Sequence, residues 1–245
     1  MLTIYFYKKK IMKKIFMMAV AACMATVSAN AQFEKGTWSL QPFTGGVISS
    51  VTNVGSLDIG NGQNLDKKMT VGYIIGGEAE YQITNRFSAA AGINYTSQGC
   101  AWKDYDYYEG PIRVKINNQN DILGYIKIPL VANYYVFKNF AVKAGVQFGF
   151  MVSSTFFAHG EARMDIFEDG VMRDVDLYGT VDMKDLYKKF DFSIPVGISY
   201  QFKVPVTIDA RYQIGLSKLN KESIPGVKDS KNSVFTLTVG YKFAL

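Results

Sequence analysis

The chain has 245 residues, 48% of them apolar and 14% aromatic, with 27 basic and 21 acidic side chains and a formal net charge of +6. Five of the lysines and no acid fall in the first 31 residues, so a chain cut there carries 22 basic against 21 acidic groups and loses the positive excess that nucleic-acid binding needs. No apolar run reaches the ~18 residues of a spanning helix, so a membrane reading has to rest on strands.

At the N-terminus, Met12-Lys13-Lys14 opens a basic stretch, residues 15–22 are apolar, and Ala29-Asn30-Ala31 precedes Gln32 as a small-x-small cleavage site. That order predicts a bacterial secretory signal peptide over residues 1–31, with Met12 as the true start. The alternative is a lipobox, Val20-Ala21-Ala22-Cys23, in which Cys23 is acylated. Cleavage at Ala31 leaves Cys100 as the one cysteine, without a disulfide partner, and it reads as an incidental residue of an outer loop.

Residues 32–245 read as one domain built from period-two alternation. A first strand falls near residues 37–48, where Pro42 and Gly45-Gly46 blur the pattern. Residues 69–84 and 87–97 make a hairpin around Asn85-Arg86, with Val71, Tyr73, Ile75, Tyr81 and Ile83, then Phe87, Ala89, Ala91 and Ile93, on the apolar face. Residues 122–137 and 140–155 make a second around Lys138-Asn139. Residues 190–202 and 206–216 make a third, and residues 233–243 close the set. The clearest strand reads Val-Thr-Ile-Asp-Ala-Arg-Tyr-Gln-Ile from Val206, and an acid and an arginine opposite a wholly apolar face belong between lipid and a polar interior.

The connections alternate in length, with short turns near 85, 138 and 204 and long polar segments at 49–68, 99–120, 156–188 and 218–232. The prediction is an all-β, eight-stranded antiparallel transmembrane β-barrel of the Gram-negative outer membrane, with short periplasmic turns, four longer extracellular loops and both termini periplasmic. Glu109-Gly110 and Asp169-Gly170, flanked by alternating residues, read as exposed hairpin tips.

Several motifs resemble those of a known family: Tyr125-Ile126-Lys127-Ile128-Pro129-Leu130, Lys143-Ala144-Gly145, Asp209-Ala210-Arg211-Tyr212 and Val239-Gly240-Tyr241-Lys242-Phe243. The chain is similar over residues 33–243 to the small outer-membrane β-barrel family of Bacteroidetes, which includes the PorT-like proteins and is often labelled a porin family. The resemblance implies the architecture and is silent on activity, because its motifs are strand and turn patterns. One departure is that Ala244 and Leu245 follow Phe243, whereas many barrels end on an aromatic residue.

The face assignment gathers Glu78, Glu80, Asp191 and Asp209 with Lys127, Lys143, Arg211 and Lys242 in the lumen. Eight strands enclose room for side chains alone, so the expectation is a packed network of opposite charges and a non-enzymatic protein with a structural or surface-interaction role. Two alternatives use other residues or the same ones differently. A narrow ion or solute channel would employ the lumen charges. A rim-active lipid hydrolase would employ His159 near Ser153, Ser154 and Glu161. The eight acids of residues 161–185 read as a solvated hairpin in preference to a cation site, and Trp102, Tyr105, Tyr107 and Tyr108 as a girdle or contact set. No cofactor and no nucleic acid are expected. The expected surroundings are outer-membrane lipid and lipopolysaccharide, the barrel-assembly machinery during biogenesis, and other cell-envelope proteins.

Overall fold

A computed structural model describes residues 34–52, 57–58, 64–65, 67–109, 112–164, 171–221 and 229–245. The signal peptide, Cys23, and the tips at Gly110 and Gly170 lie outside the described residues. Eight long strands form there: β1 (Trp38–Thr52), β2 (Thr70–Thr84), β3 (Phe87–Trp102), β4 (Ile112–Phe137), β5 (Phe140–Met164), β6 (Phe190–Gln201), β7 (Val206–Gly215) and β8 (Lys231–Tyr241). Each pairs antiparallel with its neighbours in sequence order, and β8 pairs with β1, so the sheet closes on itself. Closure leaves no edge inside the barrel, which a strand protein in lipid requires.

Alternation sets the walls. Along β7 and β8, Thr207, Asp209, Arg211, Gln213, Thr236 and Thr238 are buried, while Ile208, Tyr212, Ile214, Phe235, Leu237 and Val239 are exposed. An apolar surface that surrounds the whole molecule is incompatible with water and fits a lipid environment. Aromatic pairs mark its two borders. Trp38 with Tyr81 and Tyr200 with Phe202, each 5.0 Å between ring centroids, lie near the short turns, and Tyr73 with Tyr95 (5.8 Å) lies at the other end. Tyr73 and Tyr81 are eight residues apart on one strand, about 26 Å, or about 20 Å along the membrane normal at a ~40° tilt, close to the height of a barrel's apolar band.

The turns follow from local chemistry. Thr84 Oγ1 accepts from the Arg86 and Phe87 amides (3.2 and 3.0 Å), closing the Asn85-Arg86 turn, and the Asn139 side chain donates to the Gln201 carbonyl (2.8 Å). Pro42 does not end β1. The β1–β8 ladder runs from Phe43 upward and resumes at Leu40 with Phe243–Ala244, so the residue without an N–H sits at the interruption.

Three expectations about the outer end need correction. β3 runs on to Trp102 instead of stopping at 97, β4 starts at Ile112, and β5 runs to Met164. Much of the two segments read as loops at 99–120 and 156–188 is therefore sheet. Tyr105–Glu109 pairs with β4 and Arg173–Asp182 pairs with β5, giving a four-stranded outer sheet in the order Tyr105–Glu109, β4, β5, Arg173–Asp182. The physical reason is that Ile112, Val114 and Ile116 alternate with Arg113, Lys115 and Asn117, a pattern that pairs as well in water as in lipid. At 26 and 25 residues, β4 and β5 are more than twice the ~10 residues a crossing needs.

Gly99 enables the strand extension above the β2 start. Its φ is +149°, and a Cβ there would lie 1.8 Å from the Asp121 carbonyl oxygen. Its amide donates to Ser49 Oγ (2.8 Å), which donates back to the Gly99 carbonyl (3.1 Å), tying β1 directly to β3.

Candidate functional site: the filled lumen and the outer sheet

The period-two rule points all eight of the expected charged residues inward, and all eight are buried. In the half of the lumen near the short turns, Arg211 binds Glu78 through both terminal nitrogens, one contact measuring 2.8 Å. Its Nε also reaches Asp209 at 2.6 Å, and Lys143 donates to the other Asp209 oxygen at 2.6 Å. Lys143 Nζ lies 3.8 Å from Glu78. A second group sits beside it: Lys242 donates to Glu80 (2.8 Å), and Tyr135 and Ser88 donate to the other Glu80 oxygen (2.6 and 2.7 Å). Bidentate pairing with further donors is the geometry that offsets the desolvation of buried charge.

Lys127 and Asp191 stand apart from these ion pairs. Lys127 donates to the side-chain oxygens of Gln98 (2.5 Å) and Gln213 (2.6 Å), and Gln147 donates to the same Gln213 oxygen (2.9 Å). Asp191 accepts from the Asn232 amide at 3.0 Å. Sequence reasoning missed Tyr135, Ser88 and Gln98 as partners. Parity was the available signal: Tyr135 lies eight residues from Lys127 on β4, and Ser88 and Gln98 lie an odd number of residues from the outward Phe87 and Ile93 on β3.

The lumen is solid. A cavity lined by Phe43, Ile74, Asn94, Gln147, Asp209 and Arg211 measures about 10 Å³, the space of about one water. Apolar side chains fill the rest. Phe43, Val47, Ile74 and Val234 form one buried group, and Val51, Cys100, Leu123, Tyr125, Met151 and Leu219 form another at the outer mouth, with Trp102 and Tyr187 against it. Cys100 is thus a buried member of the cap and not an exposed loop residue, because β3 carries it inward beyond the bilayer end. Burial pushes its thiol up to about 12, with the Asp121 carboxylate adding to the rise. Trp102, too, packs on this cap instead of lying in a membrane girdle.

Two outer connections fold over the mouth. Tyr187 bridges to Asn220, the Lys188 amide donates to the Leu219 carbonyl (2.8 Å), and Tyr187 OH donates to Asp121. Burial raises the Asp121 carboxyl above its usual range, opposed by that hydrogen bond, and Asp121 Oδ1 has no partner among the described residues.

The residues of the hydrolase alternative are not brought together. Ser154 is buried toward the lumen while His159 is exposed, and Ser153 lies six extended residues from His159, about 20 Å, far beyond hydrogen-bond reach. Among the described residues no group of three or more acids, His or Cys is placed to hold a metal ion.

On the outer sheet one face carries Arg113, Lys115, Glu161, Arg163, Asp174 and Asp176, which line a groove of about 470 Å³. The register puts Lys115 opposite Glu161, Glu161 opposite Asp176 and Arg163 opposite Asp174. Arg113 and Arg163 also face each other, and Asp106 relieves Arg113 through two bonds of 3.1 and 2.7 Å.

The family model described as "Outer membrane protein beta-barrel domain" matches residues 30–221. The chain belongs to this family. Membership places the barrel in the outer membrane of a Gram-negative bacterium, crossing it by strands. No curated protein sequence matches the chain. Among solved structures, this outer-membrane barrel is similar to the attachment invasion locus protein Ail of Yersinia pestis at 15% identity and TM-score 0.42, covering 85% of this chain and 99% of that one. Neisserial surface protein A is similar at 14% identity and TM-score 0.39, covering 84% and 97%. OprG of Pseudomonas aeruginosa is similar at 13% identity and TM-score 0.34, covering 87% and 98%.

Proposed function

We propose that this outer-membrane barrel is a non-enzymatic surface protein whose shut lumen serves as a rigid base and whose outer sheet is presented to the medium for contact with other molecules. The observation that carries the reading is the combination of a side-chain-filled interior with β4 and β5 continuing far beyond the apolar belt. A pore needs the first feature absent, and a purely structural barrel has no use for the second. In this reading the long connections are extracellular, both termini are periplasmic, lipopolysaccharide surrounds the outer sheet's base, and the strand motifs reflect kinship with the Bacteroidetes branch.

Single cysteines in a Cys100→Ser background test the display. At Asn117 and Tyr178 they should react with an impermeant thiol reagent on intact cells, and at Asn85, Lys138 and Lys203 they should be protected. Labelling of the second set with protection of the first would invert the topology. Lipid A or phospholipid turnover by the purified barrel that disappears in His159→Ala would overturn the non-enzymatic reading.

A further inference from the structure

The outer sheet has two edges, and they differ. Tyr105–Glu109, five residues paired with β4, and Arg173–Asp182, ten residues paired with β5, both have no strand on their other side among the described residues, but only the second is long enough to seat a full strand. Its ten residues pair with β5 without a register shift, and they include neither proline nor bulge. Residues 178–182 are all exposed. Gly179 is among them, and a Cβ built there would meet nothing within 4 Å, so the main chain itself is open. Sheet edges of this length are templates for a further strand unless something closes them.

We propose that Arg173–Asp182 takes up an extended basic segment of another protein by β-strand addition. The proposal rests on the display reading and supplies the chemistry of its partner. Main-chain hydrogen bonds along the edge give affinity, and alternate side chains give selectivity. One face of the edge presents Asp174, Asp176 and Asp182; Arg163 stands across from Asp174, whereas Asp176 stands across from the like-charged Glu161, and the groove of mixed charge opens along the same face. The other presents Val175, Leu177, Gly179 and Val181, with Arg173 at its outer end. A strand laid alongside therefore gains most when Lys or Arg alternates with β-branched or aliphatic residues, since directly opposed opposite charges stabilise and like charges repel. A second copy of this chain gains less: antiparallel pairing centred on Tyr178 sets Asp174 against Asp182 twice, and pairing centred on Leu177 sets Asp174 against Thr180 and Asp176 against Tyr178, with no opposite charge for either acid.

The test uses the full-length barrel in lipid nanodiscs and three fluorescent peptides of about nine residues: alternating Lys and Val, alternating Glu and Val, and the Lys–Val peptide N-methylated at every second residue. The Lys–Val peptide should bind saturably and slow amide exchange within residues 173–182. The other two should bind at least about 10-fold more weakly, and Asp174→Asn with Asp176→Asn should weaken the Lys–Val peptide to a similar degree while the barrel stays folded. Equal binding of the N-methylated peptide would reduce the contact to charge alone and overturn the proposal. Exchange protection confined to other strands would overturn it as well. Concentration-dependent self-association protecting residues 173–182 would make a second copy the occupant. Conductance of the same nanodisc protein in planar bilayers reports separately on the shut lumen, so failure of the display reading is distinguished from failure of the edge.

Discussion

The two halves of the lumen are filled by different chemistry. Toward the short turns, Glu78, Arg211, Asp209 and Lys143, and beside them Glu80 and Lys242, neutralise one another within 4 Å. Toward the outer mouth, Lys127 is held by glutamine oxygens, and above it Leu123, Tyr125, Met151 and Leu219 close the bore with apolar contacts. The difference teaches that a narrow barrel can be plugged either by mutual ion pairing or by ordinary core packing. The two should respond differently to the loss of one side chain. Removing one ion leaves its partners charged and dry, whereas removing an apolar group leaves a void.

The largest effect is expected in the charged half. Arg211→Ala strands Glu78, leaving Lys143 to serve Asp209, and should cost about 3–5 kcal/mol, measured as folded fraction during urea titration in lipid vesicles. Adding Glu78→Gln to Arg211→Ala should recover part of the loss, a coupling that a simple void cannot show. In the outer half, Leu123→Ala should cost about 2–5 kcal/mol through cavity formation, with no rescue by charge removal. Equal rescue in both halves would erase the distinction.

Next comes the wall. Ala210 faces outward between Asp209 and Arg211, and Ala210→Arg should cost about 2–4 kcal/mol near the bilayer midplane by the same folding assay. Tolerance there would mean that the strand is out of phase by one residue.

The smallest effect concerns pH and the mouth. Burial raises the Asp121 carboxyl above its ordinary 3.8, so between 3.8 and its folded value the native state holds more protons than the unfolded chain. Stability from this group is therefore full below 3.8 and falls as pH rises through the folded value. Asp121→Asn should flatten that part of the pH profile, whereas an unchanged slope would mean that Asp121 is hydrated in the fold. The raised Cys100 thiol in the same cap predicts slow reaction with thiol reagents at pH 8 until the mouth is unfolded.

How much of this was legible in the sequence differs between the same regions. The charged lumen was readable because Asp209 and Arg211 sit on strands whose opposite face is wholly apolar, and on such a strand charges can point only inward. The apolar lumen was not. Phe43, Ile74 and Val234 break the polar-in rule, since a bore just wide enough for side chains accepts any that fill it. Cys100 was unreadable for a related reason: residues 97–100 are all buried, so alternation carries no signal where both faces of a strand are covered. In the outer sheet, the alternation around residues 112–117 and 173–177 showed strands, but nothing in it fixed how far β4 and β5 pair with each other beyond the membrane.

The filled lumen is the claim on which the display reading depends, and single-channel recording of the folded protein in planar bilayers tests it most directly. The account predicts no discrete conductance in salt solution, both for the native protein and for Lys127→Gln, because the bore stays packed from Glu80 to Leu219. Reproducible unitary currents whose ion selectivity shifts with Arg211→Gln or Glu80→Gln would contradict it and make the charge network a permeation path.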